Sequence, residues 1–189
     1  MAFLIAGLVV FLGIHILTTL RGPRAALIAR IGEGPYKGLY SVVAAIGLGL
    51  IIWGFGQYRS TGWVQVWSPP AGLKPVAYLL MWFAFVSLAA TYAPLGKIKS
   101  KLRHPMLVAV KAWALAHLLA NGDLGALVLF GAFLAWAVYD RIAVKRRGDT
   151  GAPAVAGFTS GDMIAIAVGT VAFVAMFFLH PWLIGVPIM

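Results

Sequence analysis

The chain has 189 residues, of which 62% are hydrophobic and 11% charged, and its mean hydropathy is +0.94. Such values are far from those of soluble proteins and place it among polytopic membrane proteins, with no length left for a separate soluble domain. The absence of cysteine excludes disulfides, thiolate metal sites and cysteine nucleophiles. A net charge of +10 sits in short loops between apolar blocks, where it reads as topogenic charge and not as a nucleic-acid surface.

Six apolar blocks of roughly 17 to 23 residues match the length that crosses a ~30 Å hydrocarbon core. They predict an all-α, polytopic membrane helical bundle of about six transmembrane helices. Met1-Ala2-Phe3 runs into the first block with no basic n-region or small-residue cleavage site, so this segment is expected to remain as helix one, about Ala2 to Leu20. Arg21-Gly22-Pro23 ends it, and a basic loop follows to Lys37. Helix two, about Gly38 to Gln57, is rich in glycine (Gly47, Gly49, Gly54, Gly56), the residue type that lets membrane helices approach closely. The stretch Tyr58 to Lys74, with Trp63, Trp67 and Pro69-Pro70, resembles an interfacial aromatic belt.

Helix three is expected over about Pro75 to Tyr92, helix four over about His104 to Ala120 and helix five over about Leu124 to Ala143. A basic loop, Lys97 to Arg103, precedes helix four. Only Asn121-Gly122-Asp123 separates helices four and five, which predicts an antiparallel hairpin whose two helices pack together. A polar stretch from Val144 to Gly161 leads to helix six, about Asp162 to Ile184. The domain organisation expected is a five-helix membrane domain over 1–147, a linker over 148–161 and an additional C-terminal transmembrane helix within 162–189.

Counting Lys and Arg by side sets the orientation. Arg21, Arg24, Arg30 and Lys37, then Lys97, Lys99, Lys101 and Arg103, then Arg141, Lys145, Arg146 and Arg147 fall on one side, against Arg59 and Lys74 on the other. This asymmetry predicts that the N-terminus and C-terminus both lie outside. In a bacterium the loops after helices one, three and five would then face the cytoplasm across the inner membrane.

Ionisable residues inside apolar helices need a partner, a cavity or a ligand to offset their desolvation. His15 lies about six residues before the end of helix one, roughly 9 Å inside the boundary at 1.5 Å per residue. Thr18 and Thr19 follow at i+3 and i+4 and are expected to orient its ring. The alternative is a histidine merely hydrogen-bonded between helices. His117 has Trp113 at i−4, Ala114 at i−3 and Asn121 at i+4, a face suited to a planar cofactor, though a structural histidine would look the same. His104, beside Arg103 and Pro105, suits lipid phosphate or a cofactor carboxylate. Lys111 suits a propionate or snorkels to the interface. His180, beside Pro181 at the end of helix six, reads as interfacial. Asp140, the one acid inside an apolar block, borders Arg141 and is expected to pair locally or cap the helix. No paired carboxylates, HExxH, Gly-rich phosphate loop or Ser/His/Asp arrangement is present. Iron bound by two imidazoles is the simplest redox-capable site this inventory allows.

Three motifs carry a resemblance: Gly13-Ile14-His15 through Thr19-Leu20-Arg21, Arg103-His104-Pro105-Met106, and Trp113-Ala114-Leu115-Ala116-His117 through Asn121-Gly122-Asp123. Together they resemble the NnrU family of bacterial membrane proteins over about residues 1 to 147, and related motifs occur in plant and algal 15-cis-zeta-carotene isomerase. The family is associated with denitrification and nitric oxide metabolism, and the isomerase is a haem b protein. The resemblance therefore implies haem b, with His15 and His117 as the iron ligands and His104, Lys111 and Asn121 as further cofactor-binding candidates. Where the isomerase has a Cys three residues before the second histidine, this chain has Ala114, so a thiolate ligand is not expected. His117 lies about 20 Å from the boundary against about 9 Å for His15, which leaves His15 with His104 as the rival pair.

The function implied is that of an NnrU-type haem protein in nitrogen-oxide metabolism. The alternatives are a haem-dependent cis-trans isomerase acting on a lipid-soluble polyene and a membrane methyltransferase of the isoprenylcysteine type, which Arg103-His104-Pro105 resembles. That last family carries a pair of glutamates after an R-I motif, whereas Arg141-Ile142 here is followed by Ala143-Val144-Lys145. The partners expected are the lipid bilayer and a lipid-soluble substrate, with no nucleic acid.

Overall fold

A computed structural model describes residues 1–186 and 188, and among them the protein is all-helical. Eight α-helices follow in order: α1 (Ala2–Thr19), α2 (Arg21–Ile31), α3 (Glu33–Ser60), α4 (Lys74–Tyr92), α5 (Lys97–Leu102), α6 (Pro105–Ala120), α7 (Leu124–Arg146) and α8 (Ser160–Ile184). A short 3-10 turn, Ala71–Leu73, precedes α4. Five segments are long and apolar enough to cross a membrane: α1, α3, Ala71–Tyr92, α7 and α8. The sixth expected span is the 16-residue α6, shorter than the others. The chain is a multi-pass membrane protein.

Two expected loops are helical. Arg21 to Lys37 contains α2 and the start of α3, so helix two begins at Glu33, five residues before the expected Gly38. Charge alone does not prevent a helix: Glu33 and Lys37 pair at 2.9 Å with i,i+4 spacing on the first turn of α3. None of the residues of α2 is buried. The basic stretch before helix four likewise forms α5, whose Lys99 Nζ donates to the carbonyls of Thr91 and Ala93, both at 2.9 Å, and so closes the C-terminus of α4.

The chain divides into two compact units. One comprises Met1–Pro69 and Asn121–Arg147, the other Pro70–Ala120 and Gly148–Met189. In the first, α1 packs along α3 and against α7. The α1–α3 contact is built on glycine, since a Cβ at Gly7 would come within 2.6 Å of Ile51 N and one at Gly47 within 2.7 Å of Phe11 N. A Cβ at Gly54 would collide with the backbone of Leu4. Gly49 and Gly56, read from sequence as equivalent to these, have nothing within reach of a Cβ. Of these four glycines of the glycine-rich stretch, Gly47 and Gly54 therefore serve close packing and Gly49 and Gly56 do not.

In the second unit α4 packs on both α6 and α8. Trp82 Nε1 donates to Thr170 Oγ1 at 2.9 Å, and Gly169 lies against the backbone of Val86. In this unit α6 packs with α4, whereas α7 packs with α1 in the other. Gly122 O accepts from Val66 N at 2.8 Å and Trp67 N at 3.1 Å, and Leu124 N donates to Val64 O at 2.9 Å. The backbone groups of Asn121-Gly122-Asp123 are thus committed to the segment 64–67, and Asp123 Oδ1 accepts from Ala126 N at 2.9 Å as the N-cap of α7.

The stretch between α7 and α8 is tied down as well. Val155 N donates to Ser100 Oγ at 3.1 Å and Ala152 N to Arg103 O at 2.9 Å. Asp162, 1% exposed, accepts from Lys97 N, Ile98 N and Thr159 N at 2.7–2.9 Å. One carboxylate therefore completes the capping box of α8 and also satisfies the first amides of α5.

Candidate functional site

Each candidate residue is held by the unit it belongs to. In the first unit, His15 Nδ1 lies 2.6 Å from Phe11 O, one turn back along α1. A carbonyl can only accept, so Nδ1 carries the proton and the lone pair resides on Nε2, the arrangement second-shell partners impose on ligating histidines. Three rings fix the imidazole plane: Phe11 at 4.3 Å, Tyr40 of α3 at 5.4 Å and Trp136 of α7 at 5.6 Å, the last nearly perpendicular at 83°.

Thr18 and Thr19 do not orient this ring, contrary to expectation. The Thr18 hydroxyl donates to the His15 carbonyl at 2.7 Å, the nearest acceptor for a helical threonine, and Thr19 Oγ1 lies 3.3 Å from the same oxygen. Thr19 Oγ1 also lies 2.7 Å from Asp140 Oδ1 on α7. Asp140 thereby finds its partner across the helix pair and not in Arg141. Two turns further along the chain, Arg147 Nη1 donates to Thr19 O at 3.1 Å and caps α1.

In the second unit, His117 Nδ1 lies 2.9 Å from Trp113 O, the same fixing as at His15, and the Trp113 ring stands 5.3 Å away. Ala114 is fully buried, and Ala109, Ala112 and Ala116 on the same helix are buried as well. Helix α6 ends at Ala120, and Asn121, half-buried, follows it outside the helix. Lys111 is half-buried on α6 and meets no hydrogen-bond or ion-pair partner among the described residues.

His104 precedes α6 and caps it, its carbonyl accepting from Leu107 N at 3.1 Å. Its Nε2 faces Asp149, 3.4 Å from the carbonyl and 3.9 Å from Oδ1. Arg103 beside it has φ 61°, a conformation strained for a residue with a Cβ, held by Ala152 N on its carbonyl and by its own Nη1 on Thr150 O. Arg103 and His104 are accordingly engaged by the segment 149–152.

Sequence reasoning missed the aromatic and basic surroundings of His15, because Tyr40, Trp136 and Arg147 come from helices distant in the chain. It also set His180 aside. There Nδ1 lies 2.7 Å from Val186 O, giving the same tautomer as His15 and His117. Among the described residues no group of three or more His, Asp or Glu side chains is placed to hold a metal ion. An apolar groove on α3, lined by Gly49, Ile52, Trp53, Gly56 and Gln57, contains none of the histidines.

The comparisons extend the resemblance. A model of the family described as NnrU protein matches residues 3–188, beyond the stretch 1 to 147 that the motifs cover and through all of α8. No curated protein and no solved structure matches the chain.

Proposed function

The chain belongs to the NnrU family, and from that premise we propose that it is a haem b protein of the bacterial inner membrane acting in nitrogen-oxide metabolism, with histidine as the iron ligand. The observation that carries this reading is the matched state of His15 and His117. Each sits in an apolar helix and each gives its Nδ1 proton to the carbonyl four residues back. Each of the two, His15 and His117, would accordingly be a candidate to hold the iron.

The residues around His15 fit such a group. Phe11, Tyr40 and Trp136 supply aromatic surface against the imidazole, and Trp136 Nε1 is buried with no acceptor among the described residues. Bound haem would supply a one-electron couple. The chain's own contribution is to hold the imidazole in one tautomer and plane and to keep it in an apolar surrounding. The fall of Lys and Arg on one side supports an N-terminus outside the cell membrane.

Single substitutions test the ligand assignment. His15→Ala and His117→Ala are expected to change the Soret position or intensity of the purified protein. Spectra identical to that of the parent in both variants would contradict it.

A further inference from the structure

Side chains in the first unit leave three hydrogen-bond donors buried without an acceptor among the described residues: Trp136 Nε1, Tyr36 Oη and Arg147 Nε. Buried polar atoms are nearly always satisfied, so three orphans in one unit point to a missing acceptor-rich group. Their placement around α1 is ordered. Trp136 stands against His15. Gly47 opposite Phe11 and Gly54 opposite Leu4 set an antiparallel α1–α3 register, which brings Tyr40 to the His15 ring and Tyr36 one turn nearer the end of α1. There Arg147 reaches Thr19 O. Arg24 lies over the Tyr36 ring at 5.6 Å and adds a second positive charge. The one acid on this face of α7, Asp140, is engaged by Thr19.

Resting on the haem reading of His15, we propose that the Arg147 guanidinium and the Tyr36 hydroxyl bind the carboxylates of the His15-bound ligand, which for haem b are its propionates. An apolar, planar ligand with acidic groups on one edge matches this arrangement: aromatic rings surround the histidine, and unpaired donors with positive charge lie toward the end of α1. Guanidinium to carboxylate is the strongest pairing this residue inventory offers, and a phenol adds a neutral donor. Arg147 already spends Nη1 on Thr19 O, which holds the guanidinium in place while Nε remains to be satisfied.

The test is a Soret titration of the full-length, detergent-purified, haem-depleted protein with haem b and, separately, with haem b dimethyl ester, whose propionates carry no charge. The parent is expected to bind haem b about tenfold more tightly than the diester. Arg147→Gln should lose about that factor for haem b while binding the diester as the parent does, Arg147→Lys should recover part of it, and Tyr36→Phe, which keeps the ring, should weaken haem b alone. Equal affinity of the parent for both porphyrins, or equal loss for both in Arg147→Gln, would overturn the proposal. No Soret band with either porphyrin in the parent would overturn the haem reading itself, and this inference with it.

Discussion

Thr19 donates its hydroxyl to Asp140 across 2.7 Å, and this bond ties the end of α1 to α7 directly below the turn that carries His15. Thr19 is 9% exposed, so loss of its hydroxyl leaves a carboxylate oxygen without a donor. Interhelical hydrogen bonds within membranes average ~0.6 kcal/mol and reach ~1.7 kcal/mol. Thr19→Val is therefore expected to lower stability by about 0.5–1.5 kcal/mol, read as a fall in the detergent melting temperature. An unchanged melting temperature would mean that the pair does not join the helices in solution.

The glycines of α3 give an internal control. Gly54 lies against the backbone of Leu4, whereas Gly49 faces open space on the same helix. Gly54→Ala should force α1 and α3 apart and cost about 2 kcal/mol or more, as overpacking of a close contact does. Gly49→Ala should be neutral or raise stability slightly, because alanine is the better helix former. Equal melting temperatures for the two variants would contradict the α1–α3 packing described.

At Gly122 a side chain has no room at all, since its Cβ would fall on the Trp67 carbonyl. Gly122→Ala is expected to break the bonds from Val66 N and Trp67 N and to release the segment 64–67. Limited proteolysis should then cut between Thr61 and Ser68 faster than in the parent. The same cleavage rate in both would show that the segment is not held by this turn.

Asp162 serves two helices at once, so its removal should cost more than loss of a simple cap. Thr159→Ala, which removes one capping hydroxyl, is expected to cost about 1 kcal/mol, and Asp162→Ala about 2–3 kcal/mol. Thermal unfolding compares them directly, and a smaller effect for Asp162→Ala than for Thr159→Ala would refute its double role.

Much of this architecture is legible in the chain itself. Apolar block length locates the long helices, because a bilayer demands about 20 apolar residues per span. The histidines in those blocks stand out for the desolvation they incur. What periodicity does not carry is what a short turn bonds to, and nothing local in Asn121-Gly122-Asp123 shows that Gly122 O takes the amides of Val66 and Trp67. Nor does local spacing reveal that Thr18 and Thr19 turn back to a carbonyl, or that Asp140 looks to α1 and not to Arg141. Tyr40, Trp136 and Arg147 reach the neighbourhood of His15 only through tertiary packing, so no motif around His15 could have named them.

The central claim is that this protein binds haem b, and the most direct measurement is the absorption spectrum of the detergent-purified full-length chain, oxidised and then dithionite-reduced, after expression with adequate haem supply. The account predicts a Soret band that shifts on reduction and a pyridine haemochromogen spectrum of the b type. A preparation that is monodisperse and helical, shows no Soret band and acquires none on adding haem b would contradict it.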